Sequence, residues 1–240
     1  MSKKDAHFLF FSENINGNAI LLDSEEVAHI SNVLRFCEGD EIRITDGNGN
    51  IFESKIVKMK RDSALCEIIS SKFYKPLSCE ITLAVGMPEK EKLEDICETL
   101  APLGVKKIVP LITQRCQKNY LDARWEKTAQ RCRRKIISSI KQSLNPYATV
   151  LENPVESAKF TSDCELNLLA DFDGKMIFEI IEKDKMPKSI CIFVGSPSGF
   201  SQDEINLLAQ NSIKFCLGKY RLRTELAAVC AVAAVGQFCG

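Results

Sequence analysis

Over residues 41–69 apolar positions come in short alternating runs. Ile42 and Ile44 precede the polar turn Asp46-Gly47-Asn48-Gly49; Ile51, Ile56 and Val57 follow it, and then Leu65 and Ile68. A period of two puts successive side chains on opposite faces, and Asp-Gly and Asn-Gly steps supply the positive φ of tight turns. The stretch therefore predicts β-hairpins. Ahead of it, Val27, Ile30, Val33 and Leu34 recur at helical spacing, with Ser24 placed to cap the helix. The segment KFYKPLS, residues 72–78, contains Pro76, which suits neither helix nor central strand, and predicts a linker. A small, mostly β domain over residues 1–72 follows.

From Cys79 onward the period changes. CEITLAV reads as a strand, and the helix after it carries Leu93, Ile96, Cys97 and Leu100 on one face. VKKIVPLI is a strand, followed by a long helix with Trp125, Ala129, Cys132, Ile136 and Ile140 along one stripe. CELNLLA is a strand, with a helix expected after Gly174. SICIFV leads to a helix opened by Ser201, and IKFCL leads to a final helix rich in small residues, with Thr224 as its expected N-cap. Alternating strands and helices predict an α/β domain with a mostly parallel sheet over residues 73–240. Such sheets take ligands at the carboxyl ends of their strands. Two turns fall there: GSPSG, residues 195–199, and LGKYRLRT, residues 217–224.

Composition narrows the class. The chain has 240 residues, 45% of them apolar, enough for a sizeable core. No apolar run approaches the ~20 residues of a membrane span, and the N-terminus has no signal-peptide pattern. Eleven cysteines without a C-x-x-C pair read as reduced thiols of a cytoplasmic protein. With His7 and His29 the only histidines, a His/Cys metal site and a histidine triad are both disfavoured, and no metal is expected.

Basic and acidic residues balance at 32 each, so any polyanion signal is local. It lies between Arg115 and Lys141, where nine basic residues meet two acidic ones. Arg124, Lys127, Arg131 and Arg134 recur there at helical spacing, off the Trp125 stripe. One-sided charge of this kind suits a phosphate backbone, although a solvated helix face is the plainer reading. Lys219, Arg221 and Arg223 stand before the last helix, where an anion is favoured. GSPSG has Pro197 where a nucleophile elbow needs serine, and lacks the lysine of a phosphate-binding loop. By itself it is either a ligand loop or a plain strand-to-helix connection.

Taken together, these stretches resemble the bacterial methyltransferases that modify N3 of a uridine in 16S ribosomal RNA, within the knotted SPOUT superfamily. HISNVLRFCEGDEIRITDGNGNIF (29–52) is similar to the family's N-terminal signature, LGVKKIVPLITQRC (103–116) to its central strand, and KQS (141–143) to a segment of its long helix. LGKYRLRTELA (217–227) is the most specific match, close to L-G-x-x-x-L-R-T-E-T-A, with Leu226 in place of the second threonine. The resemblance implies a PUA-like, RNA-binding β-barrel, then an α/β domain with a C-terminal trefoil knot, S-adenosylmethionine as cofactor and a homodimer. Its cofactor residues would be Leu169, Val194, Gly195, Gly199, Leu217, Gly218 and Leu222. Arg223 and Glu225 would be catalytic, and Arg35, Arg115, Arg124, Lys127, Arg131, Arg134 and Lys141 would face 16S RNA or the small ribosomal subunit. The family's G-P-E-G-G-F is Gly195-Ser196-Pro197-Ser198-Gly199-Phe200 here, so a positive φ at position 198 would be strained. A catalytically impaired RNA-binding relative, and a SPOUT enzyme with another RNA target, are the alternatives.

Overall fold

The computed structural model describes residues 8–116, 125–182 and 185–239, which form two units. The first holds the chain up to Pro76 together with Ile137–Ala148; the second holds Leu77–Ile136 and the chain from Thr149 onward.

The first unit is a six-stranded sheet. Its strands are β1 (Leu9–Phe11), β2 (Ile15–Asn16), β3 (Ala19–Leu22), β4 (Glu41–Thr45), β5 (Asn50–Met59) and β6 (Ala64–Phe73). They lie in the order β1-β4-β5-β6-β3-β2, antiparallel except for β1 against β4. The sheet curls rather than closing through one continuous ladder; the Ser12 hydroxyl, just past β1, donates to the Leu21 carbonyl of β3 at 2.7 Å. Phe10, Ile20, Leu22, Ile42, Ile44 and Ile56 fill its concave side with Val27 and Ile30.

The expected first helix is short: α1 spans Ser24–Ala28 and continues as a π-helix over His29–Leu34. Its cap is Asp23 rather than Ser24. The Asp23 carboxylate accepts from the Glu25 and Glu26 amides, both at 3.0 Å, and an anion at that end also suits the helix dipole.

The Asp46–Gly49 turn does join β4 to β5, and it also receives the segment after residue 144. The Gly49 amide donates to the Pro146 carbonyl at 3.0 Å and the Ala148 amide to the Gly47 carbonyl at 2.9 Å. A Cβ on Gly49, whose φ is +96°, would collide with the Tyr147 phenol. Lys141 and the buried Glu26 form an ion pair within the same unit. Burial holds the Glu26 carboxyl above its usual range even with that ammonium beside it.

The second unit is a seven-stranded parallel sheet: β7 (Glu80–Gly86), β8 (Lys107–Ile112), β9 (Val150–Leu151), β10 (Val155–Glu156), β11 (Leu166–Lys175), β12 (Ser189–Val194) and β13 (Ile213–Phe215). The order is β10-β8-β7-β12-β11-β13, with β9 also beside β8. Helices α2 (Lys90–Leu100), α3 (Trp125–Ser143), α4 (Gln202–Ala209) and α5 (Thr224–Cys239) connect or end the strands, and the last turns of α3 belong to the first unit. Leu93, Ile96, Cys97 and Leu100 of α2 are buried as their spacing predicts.

Pro110 falls where the neighbour of β8 changes from β9 to β10, so its missing amide interrupts no registered pair there. The helix expected after Gly174 is absent. β11 runs on to Lys175, because β13 pairs with it first at Leu168–Ala170 and again at Lys175, and only a 3₁₀ turn follows at Ile177–Glu179. Burial pushes the Cys66 and Cys79 thiols up to about 12, as expected of small apolar core residues.

Candidate active site

β12 is buried between β7 and β11 and stops at Gly195. The turn that follows runs over the end of β7, and Gly86 makes that possible: a Cβ there would lie 2.2 Å from the Ser196 nitrogen. Within the turn the Gly199 amide donates to the Ser196 carbonyl at 2.7 Å, and the buried Ser196 hydroxyl donates to the Gly199 carbonyl at 2.9 Å. Gly199 takes the left-handed conformation, φ +74°, whereas Ser198 is not among the positive-φ residues. The serine in place of the family's glycine is therefore unstrained.

Three side chains hold the turn from outside. Arg115 donates to the Ser198 carbonyl at 3.2 Å, Arg221 to the Pro197 carbonyl at 3.0 Å, and Thr224 to the Gly195 carbonyl at 3.2 Å. Backbone oxygens of the turn thus accept from two arginines. Thr224 is the first residue of α5 and its hydroxyl is committed to Gly195. The capping position belongs to Arg223, whose carbonyl accepts from the Ala227 amide at 2.8 Å.

The helix after the turn begins as its sequence predicts. The Ser201 hydroxyl accepts from the Glu204 amide, and Glu204 accepts from the Ser201 amide at 2.8 Å. Glu204 is 3% exposed and also accepts from the Gln114 amide at 2.9 Å and the Ser157 hydroxyl. Burial pushes its carboxyl up, but the hydrogen bonds from Ser157, Ser201 and Gln114 outweigh burial and leave it below the usual range. The carboxylate ties α4 to the ends of β8 and β10.

Beside the turn lies a cavity of about 780 Å³. Leu169 of β11, Val194, Gly195 and Gly199, and Leu217, Gly218 and Leu222 after β13 all line it, as do Arg115, Arg223 and Glu225. The sequence reading missed Glu89 and Lys92 at the start of α2, Asp171 and Phe172 near the end of β11, and Tyr220. No periodicity signalled them, because neither strand nor helix periodicity says which strand end a neighbouring element approaches. Phe172 and Tyr220 are 60% and 77% exposed.

Glu225 pairs with Lys92 at 3.6 Å, not with Arg223, and Lys92 also contacts Asp95 at 3.4 Å. The Arg223 side chain has no ion pair or hydrogen bond with another described residue, so its guanidinium is available to an anion.

The other basic residues are spread over both units. Lys127 and Arg134 are exposed on α3. Arg131 pairs with Glu94 at 3.6 Å and Lys135 with Glu98 at 2.7 Å. Lys141 is held by Glu26, Arg35 follows the π-helix, and Arg124 lies outside the described residues.

A parallel sheet with one cavity at the carboxyl ends of β11 and β12, walled by two glycine-containing turns, is the frame of a nucleotide-cofactor enzyme. The chain belongs to the family of the RNA methyltransferase domain, whose model matches residues 75–236; a second model, the RNA methyltransferase PUA domain, matches residues 22–69. Among its relatives is ribosomal RNA small subunit methyltransferase E of Aquifex aeolicus, 28% identical over 235 residues that cover 96% of this chain and 99% of the relative. The protein of the same name from Bacillus subtilis is 26% identical over 231 residues, covering 89% and 88%.

Among solved structures, a Legionella pneumophila methyltransferase in complex with the cofactor SAM is 25% identical, with a TM-score of 0.85 over 96% of both chains. The fold is shared with the Neisseria gonorrhoeae ribosomal RNA small subunit methyltransferase E bound to S-adenosylmethionine, at 22% identity, TM-score 0.81, and 96% and 97% coverage.

Proposed function

We propose that this chain uses S-adenosylmethionine to methylate N3 of a uridine in 16S ribosomal RNA of the small subunit. The observation that carries the reading is the convergence of GSPSG and LGKYRLRT on one cavity, in a chain that matches its ribosomal RNA methyltransferase relatives nearly end to end. The cavity fits the cofactor. Its volume is in the range for a cofactor site, and Leu169, Val194, Ile205, Leu217 and Leu222 offer an apolar bed. Gly199 and Gly218, at φ +74° and +129°, leave open space where a Cβ would stand, so backbone can approach a ligand closely.

When bound, S-adenosylmethionine supplies a sulfonium-activated methyl carbon, which uracil N3 takes as the carbon–sulfur bond breaks. Uracil N3 carries a proton at neutral pH, and losing it to solvent leaves negative charge shared between N3 and the carbonyl oxygens O2 and O4. Arg223 stabilises that charge from the N-terminus of α5. Glu225 acts through Lys92, holding a second cation at the cavity. Arg115 and Arg221 keep the cofactor turn in shape, and Lys127, Arg131 and Arg134 carry RNA phosphate.

The trefoil knot and the homodimer are part of the same proposal. The Thr224–Gly195 hydrogen bond and the outward small-residue face of α5 support them. The ribosomal substrate puts the protein in the cytoplasm; among the described residues no helix is long and apolar enough to cross a membrane. The unstrained, braced turn favours an active enzyme over an impaired relative.

Calorimetry with S-adenosylmethionine tests the cofactor; absence of binding at millimolar concentration would end the enzymatic reading. For Arg223→Ala we expect methylation to fall by about 10²-fold or more with cofactor affinity nearly unchanged; undiminished turnover would remove Arg223 from the reaction. Mass mapping of 16S RNA from a deletion strain tests the target, since a methyl that persists on N3 would exclude it.

A further inference from the structure

One face of β12 is covered by a stretch of chain with no regular structure. Ser189, Cys191 and Phe193 alternate along the strand and share that face. Residues 160–165, which lie outside any helix or strand before β11 begins, cross over it. Two contacts fix the crossing. The Phe160 ring stands edge-on to Phe193, centroids 5.9 Å apart, and the Glu165 amide donates to the Ser189 hydroxyl at 3.1 Å. Cys164 falls between these points. Its amide donates to the Ser162 hydroxyl at 3.2 Å, and its side chain packs, half-buried, on the cluster that holds Cys191 and Phe193. Cys191 is fully buried, and Thr82 of β7 is its registered neighbour. Two thiols from separate segments are thereby brought together, one within reach of solvent and one not.

The surroundings of the pair set its chemistry. The Cys191 thiol, with the hydroxyls of Ser162, Thr82 and Ser189, lowers the Cys164 thiol to about 6 against the opposing effect of burial. Cys164 is therefore mostly thiolate at pH 7, where an ordinary thiol is only slightly ionised. The contact with Cys164, together with burial, pushes the Cys191 thiol up, so that it keeps its proton. Burial likewise pushes the Cys66, Cys79, Cys116 and Cys239 thiols up. A thiolate that solvent can reach, poised beside a second cysteine, is the arrangement that oxidants single out.

We infer that Cys164 is a site of oxidation by hydroperoxides, and that Cys191 is the cysteine that resolves it into a disulfide. The Cys164 sulfur attacks one peroxide oxygen, the O–O bond breaks, and the hydroxide that leaves is protonated to water. Cys164 is then a sulfenic acid. The Cys191 sulfur attacks the Cys164 sulfur, and the S–S bond forms as the S–O bond breaks. The Cys191 proton leaves with that hydroxide as a second water. The two thiols give up two electrons in all, and the peroxide takes them. A thiol reductant reverses the bridge by exchange. The bond joins the approach to β11 with β12, the paired strands from which Leu169 and Val194 reach the cavity. The inference goes beyond the methyltransferase reading and does not rest on it.

The test treats the full chain, first reduced and then freed of reductant, with hydrogen peroxide. Free thiols are blocked, and the unreduced digest is mapped by mass spectrometry. A peptide linking Cys164 to Cys191 is expected, and dithiothreitol should remove it. In Cys191→Ala no such bridge can form, and a sulfenic acid on Cys164 should be trapped by dimedone. A second measurement needs no variant. Iodoacetamide at pH 7 should label Cys164 about tenfold faster than Cys37, although Cys37 is the more exposed. Equal labelling of the two, no bridge, or a bridge from Cys164 to Cys79 instead would overturn the inference. Every readout is taken without RNA or S-adenosylmethionine, so a chain that fails to methylate would refute the enzymatic reading and leave this result to stand or fall separately.

Discussion

A single hydrogen at the α-carbon of Gly86 decides whether the Gly195–Gly199 turn can cross the end of β7. Replacing it with a methyl group would press carbon to within 2.2 Å of the Ser196 nitrogen, and the obstacle is backbone rather than a movable side chain. Gly86→Ala is therefore expected to destabilise the protein by about 1–3 kcal/mol and to weaken S-adenosylmethionine binding, with denaturant melts and calorimetry as the readouts. Wild-type stability and affinity in the variant would mean that the turn moves freely. Residues on the other side of the same turn do a different job. Pro197 and Ser198 contribute only their carbonyls to the arginines, so the identity of their side chains matters less than the path of the chain.

At the scale of elements, α4 is joined to the sheet through one carboxylate. Glu204 caps its own helix and takes hydrogen bonds from Gln114 and Ser157, so one side chain links α4 with the residues after β8 and β10. Its folded-state pKa is depressed, so its contribution to stability is present above the ordinary carboxylate range and is lost as pH falls through the folded value. For Glu204→Gln we expect lower stability at pH 7, by about 1–3 kcal/mol, and a difference from wild type that shrinks as the solution is acidified. Thermal melts across pH 3–7 measure it; a gap that stayed constant or widened in acid would show that charge on Glu204 is not what holds the contact. Glu26 has the opposite shift and is read with the opposite sign: burial raises its pKa, so its ionisation costs stability as pH rises, and the Lys141 ion pair offsets part of that cost.

At the scale of the molecule, α5 is apolar nearly all round. One side packs on β7, β12 and α2, burying Ala228, Ala231, Val232 and Val235. The other carries Leu226, Cys230, Ala233 and Gln237 at helical spacing, none of them buried. An outer face with Leu226, Cys230 and Ala233 left unburied can pack against a second copy, in keeping with the proposed homodimer. Ala233→Arg places a bulky charge in that stripe while leaving the inner face alone, and should shift sedimentation from dimer to monomer. A wild-type chain that sediments as a monomer would remove the dimer from the proposal.

The periodicities determined the α/β class, the hairpins, the strand-to-helix order and the helix opened by Ser201, because these depend on which side chains share a face or lie within a turn of one another. Even there, a neighbour in space could override the local pattern: β13 pairing kept residues 171–175 in a strand, and Asp23 outcompeted Ser24 for the cap. The tertiary structure alone decided that β11, β12 and β13 lie so that turns from separate strands face one cavity, that Lys92 reaches Glu225, and that Cys164 packs over Cys191. These juxtapositions follow from strand order and from where backbones can approach. A one-dimensional pattern of apolar and polar residues specifies which faces must be buried, but not which buried faces become neighbours.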